Sequence, residues 1–210
     1  MVGWDGLFID ENYKNKTEQT PSAPHSSGRV WTLSYGNEMK SLPKFTYFRD
    51  PYTSDLIYQS KESCVCCQSN EGYVFEHASG LICPWCIHTG RAALDLKLTF
   101  NDTNNCPSAI STSILNELST RTPSFPSWQD STWQFHCDDA CVFDGDLPLE
   151  EANNPNENAV IDLMTGFGLP VETAKEGWLE MIQNYEIASS SIFKFSCRHC
   201  DSVFYTIDSP

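Results

Sequence analysis

Ten cysteines stand at positions 64, 66, 67, 83, 86, 106, 137, 141, 197 and 200 of this 210-residue chain. Eight fall into close pairs: Cys64/Cys67, Cys83/Cys86, Cys137/Cys141 and Cys197/Cys200. A gap of two or three residues lets both sulfurs of a tight turn face one ion. Two such turns complete a tetrahedral zinc site, with Zn–S bonds of about 2.3 Å. Fifteen residues separate Cys67 from Cys83, the C-x2-C-x15-C-x2-C spacing of a zinc ribbon. The other two pairs supply a second four-cysteine site across a long loop. Two structural Zn2+ ions are therefore expected, held by Cys64, Cys67, Cys83, Cys86, Cys137, Cys141, Cys197 and Cys200. Cys66 and Cys106 have no partner left at ligand spacing and read as a spare thiol and a half-buried one.

Other thiol chemistries fit less well. A disulfide framework needs an oxidising compartment, and the N-terminus MVGWDGLFIDENYKNKTEQT lacks the basic start and apolar core of a secretory signal. A redox dithiol uses one CxxC, so four pairs are surplus to it. Iron–sulfur ligation uses the same thiolates and stays open. Pairing between turns is open too. Local closure, 64/67 with 83/86 and 137/141 with 197/200, is preferred over cross-pairing, because shorter loops cost less entropy to close.

Catalysis has weaker support. A catalytic zinc keeps one position open, whereas four pairs use themselves up in two closed sites. His136 and His199 adjoin ligand cysteines and read as neighbours, although either can replace a thiol. His77 and His88 are the nearest bases to the first site. No HExxH, GxSxG, Walker A or GxGxxG motif occurs. The expectation is a protein that is not an enzyme.

The formal charge of −15 is unevenly distributed. Residues 122–174 contain ten acids and no Lys or Arg, yet also Trp128, Trp133, Phe135, Phe143, Leu163, Met164 and Phe167. So aromatic a block reads as folded, with one negative face, rather than as a disordered acidic tail. Trp128 and Trp133 read as core. The charge argues against phosphate-backbone binding, hence against direct nucleic-acid binding, and against an anionic membrane. No apolar run reaches 18 residues, so no bilayer span is expected and the chain reads as cytoplasmic.

The elements that must position the thiols follow from patterning. Residues 1–40 form an N-terminal extension containing the linker-like TPSAPHSSGR, with Trp31, Leu33 and Tyr35 alternating as a short edge strand. Residues 41–210 form the zinc-binding domain. FTYF (45–48), DLIYQ (55–59) and GYVFEH (72–77) read as strands around the first cysteine turn, and SIFKF and SVFYTI flank Cys197–Cys200 in the same layout. Helices are expected at 84–97, 108–120 and 172–186, with a shorter one through Asp162–Met164 ending at Gly166 or Gly168. Ala174, Trp178, Met181, Ile182 and Tyr185 share one apolar helix face. The fold class is α+β: zinc-stapled β-hairpins with ribbon-like knuckles, packed with several helices.

LPKFTYFRDP (42–51), CVCC (64–67), LICPWCI (81–87), RTPSFPSWQ (121–129), WQFHCDDAC (133–141) and FKFSCRHC (193–200) occur in the order seen in the CbrC family of small bacterial proteins. The chain resembles that family over residues 42–208. It departs at Gln68 and Asp201, where a glycine is usual, changes that bear on turn geometry and not on a ligand. The resemblance implies a link to tolerance of a DNase-type colicin and a role as an immunity protein in bacterial toxin systems.

The acidic block suits such a role. Nuclease toxins are basic, and an opposite field speeds and selects their capture. Four thiolates would repel Asp138 and Asp139, so both are expected to face solvent. With Asp144, Asp146, Glu150 and Glu151 they are the candidate surface for a basic, nuclease-type toxin. The alternative is a zinc-ribbon interaction or regulatory module with no toxin partner.

Overall fold

The computed structural model describes residues 41–104, 106–128, 132–185 and 191–209, which belong to one compact unit beginning at Ser41. The expected extension at 1–40, with its edge strand at 31–35, lies outside the described residues. Strand β1 (Ile57–Gln59) pairs antiparallel with β2 (Tyr73–His77), which pairs in turn with β3 (Gly80–Ile82). Helices α1 (Pro84–His88), α2 (Arg91–Leu96) and α3 (Thr112–Arg121) follow. A two-stranded ribbon, β4 (Phe135–His136) and β5 (Asp139–Ala140), leads into β6 (Val142–Asp146). Helices α4 (Leu149–Asn153), α5 (Glu157–Gly166) and α6 (Ala174–Tyr185) then precede the hairpin β7 (Ser191–Ser196) and β8 (Val203–Asp208). Strands β6-β7-β8 form an antiparallel sheet. Helices with small antiparallel sheets make this an α+β fold, as expected.

Period-two alternation places the third sheet between two cores. Phe193 and Phe195 of β7 enter the larger cluster, while Ile192 of the same strand enters the smaller one. The larger core centres on aromatic rings: Phe125 stacks on Phe143 at 4.3 Å and 9°, and Phe193, Phe195 and Trp133 meet it at steeper angles. The smaller core surrounds Trp178, stacked on Tyr205 at 5.4 Å. Ala174 and Trp178 are buried and Met181 and Ile182 partly so, which bears out the expected apolar face of α6; the Tyr185 side chain is not among the described ones.

Several boundaries differ from expectation. The helix expected at 84–97 is broken at Gly90, whose φ of +75° cannot continue a right-handed helix. There Arg121 Nε donates to the His88 carbonyl at 2.8 Å, tying α3 to the break. Residues 45–48 are not a strand. Phe45, Tyr47 and Phe48 are buried while Thr46 is exposed, and the segment meets β6 through one parallel bridge, Phe48 to Phe143. Trp133 is core at 4% exposure, but Trp128 is 69% exposed, held by its backbone N–H donating to Asp208 Oδ2 at 2.6 Å. No helix among the described residues is long and apolar enough to cross a membrane.

Candidate metal centres

The first centre joins the loop after β1 to the start of α1. The ligand atoms of Cys64, Cys67, Cys83 and Cys86 all lie within 4.8 Å of one another. The Gln68 backbone N–H donates to the Cys64 carbonyl at 2.8 Å and the Cys64 N–H to the Ser69 carbonyl at 2.9 Å, closing the first turn. That turn places Gln68 at φ +61°, the left-handed region that explains why glycine suits the position; Asp201 has no positive φ. Cys83 precedes Pro84 at the first turn of α1, and its N–H donates to Cys64 Sγ at 3.2 Å. That bond sets the two turns in register with each other. Cys67 and Cys83 sulfurs are 3.8 Å apart. A tetrahedral ion with bonds of about 2.3 Å requires about 3.8 Å. Cys64, Cys83 and Cys86 are buried.

Packed this closely, the four thiols compete for charge. Burial pushes Cys83 up to about 12 and Cys86 higher still. Burial also acts on Cys67, but the Ser69 N–H and the neighbouring thiols outweigh it and bring Cys67 down to about 7. A divalent cation resolves the conflict by accepting all four as thiolates.

The second centre differs from expectation. His136, Cys137, Cys197 and Cys200 bring their ligand atoms within 4.8 Å of one another; Cys141 is not in the group. The cause is the turn between β4 and β5. Cys137 (φ +52°) and Asp138 (φ +57°) are both left-handed, a two-residue turn that folds β5 straight back along β4. Cys141, beyond β5, is then fully buried in the larger core, its carbonyl accepting from Trp133 Nε1 at 2.8 Å. His136 ends β4 beside the turn and its ring packs on Phe204. Its Nδ1 lies 3.2 Å from Cys137 Sγ, 3.4 Å from Cys197 Sγ and 3.4 Å from Cys200 Sγ. Tetrahedral N–S edges run to about 3.6 Å, so one histidine and three thiols fit a metal ion. A divalent ion with three thiolates leaves a formal charge of −1, not the −2 of four.

Cys197 and Cys200 ride the β7–β8 turn, closed by the Cys197 N–H donating to the Ser202 carbonyl at 2.9 Å. Ser202 Oγ, 3.3 Å from Cys200 Sγ, and the Ser202 backbone lower that thiol to about 6. Cys137 and Cys200 are exposed, a marked contrast with the first centre. His77 and His88 belong to neither group and pack against Phe100 and Phe45. Cys66 and Cys106 are half-buried outside both groups.

The six candidate acids divide. Asp138, Asp146 and Glu150 are exposed. Asp139, expected in solvent, is buried, because Tyr47, Arg198 and His199 converge on it. Asp144 bonds Arg49 and Ser196. Glu151 pairs with Lys194 at 2.5 Å. The block has no cation of its own, but the rest of the chain supplies three. Burial works against the charged form of Asp139, yet the Tyr47 and His199 bonds, the Ala140 N–H and Arg198 hold its carboxyl below the ordinary range.

Among known proteins, an "Uncharacterised protein family (UPF0167)" model matches residues 42–209. The UPF0167 protein PA1536 of Pseudomonas aeruginosa is 32% identical over 177 residues, covering 80% of this chain and 97% of the relative. The UPF0167 protein Mb2317 of Mycobacterium bovis is 30% identical over 171 residues, covering 77% and 90%. No solved structure matches. With two groups that can hold metal ions set on an α+β fold and a match over nearly the whole described region, the chain belongs to the UPF0167 family.

Proposed function

We propose that this is a non-enzymatic zinc protein that binds a basic protein partner, and that the partner is a nuclease-type bacterial toxin. The donor sets support zinc: four thiols in one group, three thiols and an imidazole in the other, with no carboxylate in either. Each set fills a tetrahedron from the chain alone, leaving no position for a substrate, which supports a structural role.

The observation that carries the partner reading is where acid remains after the internal pairs are formed. Asp138, Asp146, Glu150, Glu157, Asp162 and Glu172 are exposed and make no ion pair among the described residues. All six lie in the cation-free stretch 122–174. An uncompensated negative surface on a metal-pinned scaffold favours association with a positive protein and raises the on-rate at low salt. The resemblance to the CbrC family supplies the toxin class. A regulatory module without a toxin partner is the second reading, favoured by the pairing of Asp139, Asp144 and Glu151 within the fold.

Co-expression with DNase-type colicin nuclease domains tests this. Rescue of growth is expected, and Asp138→Lys with Asp146→Lys and Glu150→Lys should abolish rescue while leaving the near-UV spectrum intact. No rescue and no complex with any such domain would remove the toxin reading in favour of the regulatory module.

A further inference from the structure

A cleft of about 500 Å³ opens between the start of α5 and the stretch from Val171 into α6. Val160 and Ile161 form one wall; Val171 and Leu179 form the other, 56% and 49% exposed. Trp178 lies beneath, itself buried, and its Nε1 is already committed to the Ala152 carbonyl at 3.0 Å. Asn153, Asn154 and Pro155 also line it, so hydrocarbon and aromatic surface share the cleft with side-chain amides, and no free indole donor is offered. Half-exposed valine and leucine around a concavity of this size are what a buried anchor side chain would cover.

The rim carries more negative than positive charge. Glu157 and Glu172 are exposed at the cleft, without an ion pair among the described residues, and Lys175 is the one cation lining it. An apolar anchor flanked by lysine or arginine matches both interior and rim. An acidic segment, or a phosphate backbone, would place charge against two carboxylates.

We infer that this cleft is the docking site for an apolar side chain carried on a basic segment of a partner protein. The inference rests on the partner reading above and locates its anchor. Leu and Lys suffice to probe the chemistry, so the probe is a short acetylated peptide alternating Lys-Lys with Leu. It is titrated into the zinc-loaded, 15N-labelled full chain, beside a counterpart with Glu for Lys.

Amide shifts should concentrate on Val160, Ile161, Val171 and Leu179. The Glu counterpart should leave them unmoved. Val171→Glu with Leu179→Glu should weaken binding at least tenfold, as should Glu157→Lys with Glu172→Lys, whereas Asp138→Lys should not. Shifts centred elsewhere, or equal binding of the Glu peptide, would overturn the inference. If toxin rescue survives the Val171/Leu179 pair but fails in the Asp138/Asp146/Glu150 reversal, the cleft is excluded and the partner reading stands. If the peptide seats in the cleft while no nuclease domain is bound, the cleft stands and the toxin reading falls.

Discussion

The hydroxyl of Tyr47 donates a 2.8 Å hydrogen bond to Oδ1 of Asp139, linking a segment far upstream to the hairpin that carries Cys137. The other oxygen, Oδ2, accepts from Arg198 Nη1 and His199 Nε2, both at 2.8 Å, and these residues lie between Cys197 and Cys200. One buried carboxylate thus holds the β4–β5 turn and the β7–β8 turn at a fixed separation, an outer-shell arrangement of the kind that orients metal ligands. Asp139→Ala leaves the buried Tyr47 hydroxyl, the Arg198 guanidinium and the His199 ring nitrogen short of a partner. A stability loss of about 1–3 kcal/mol is expected, read as a lower urea midpoint. Metal affinity should fall about 10–100-fold at the second centre alone, read by competition with a colorimetric chelator. Unchanged affinity at both centres would show that the carboxylate serves packing only.

The second centre makes opposite demands of two residues. Cys141→Ala should keep two bound metal equivalents and lose about 1 kcal/mol, the usual scale for a small core change. His136→Ala should retain one tightly held equivalent. Native mass spectrometry counts the ions directly. If Cys141→Ala drops to one equivalent while His136→Ala keeps two, the ligand set is the four-cysteine one.

Much of this was legible in the chain, and the limits have physical causes. The first centre could be read from spacing because both of its turns are CxxC knuckles, and such a knuckle leaves its two sulfurs little freedom. The second could not, because Cys137 and Cys141 are separated by a strand and not by a knuckle. The left-handed pair Cys137-Asp138 sets which side chains face the ion, and neither residue announces a hairpin as Asn-Gly would. The useful signal was His136 next to Cys137, since a hairpin turn presents its flanking residue and its first residue together. The pairing of the acids is hidden for a similar reason. A block of acids says nothing about partners far away in sequence, and Arg49, Lys194 and Arg198 all come from outside it.

The unequal burial of the two centres predicts stepwise metal release. Cys137 and Cys200 are open to solvent, whereas Cys64, Cys83 and Cys86 are buried in the larger core. A strong chelator should therefore remove one equivalent quickly and the second slowly. The slow step should coincide with loss of the near-UV aromatic signal, because a structural site is worth an apparent ~10–16 kcal/mol against a domain stability of about 5–15 kcal/mol. Simultaneous release, or a metal-free protein with native tertiary signal, would contradict this.

Trp128 and Trp133 should behave as opposites. Trp133 is 4% exposed, packs against Phe125 and Phe195, and donates to the Cys141 carbonyl; Trp133→Ala should cost about 3–5 kcal/mol. Trp128 is 69% exposed, and its link to Asp208 runs through the backbone, so Trp128→Ala should stay within about 0.5 kcal/mol. Acrylamide quenching separates them without perturbing the fold: Trp128→Phe should remove a readily quenched contribution, and Trp133→Phe a protected one.

The first turn allows a test of backbone strain. Gly80 has φ +113°, and a Cβ built there would stand 2.7 Å from Val65 Cγ1, inside the loop that carries Cys64 and Cys67. Gly80→Ala therefore meets both a conformational and a steric penalty. It should lower stability by more than the ~1 kcal/mol typical of glycine-to-alanine strain at positive φ. Gln68→Gly works in the other direction, relieving a left-handed residue at φ +61°. It also removes the 2.8 Å bond that the Gln68 side-chain amide donates to the Val65 carbonyl. The left-handed penalty of about 1–2 kcal/mol exceeds a net hydrogen bond of about 0.5–1.5 kcal/mol, so Gln68→Gly should stabilise by a few tenths to about 1 kcal/mol. Thermal melts of the zinc-loaded protein decide both signs. A Gln68→Gly variant that melts lower would show the side-chain bond, not the backbone, to be the dominant contribution at this knuckle.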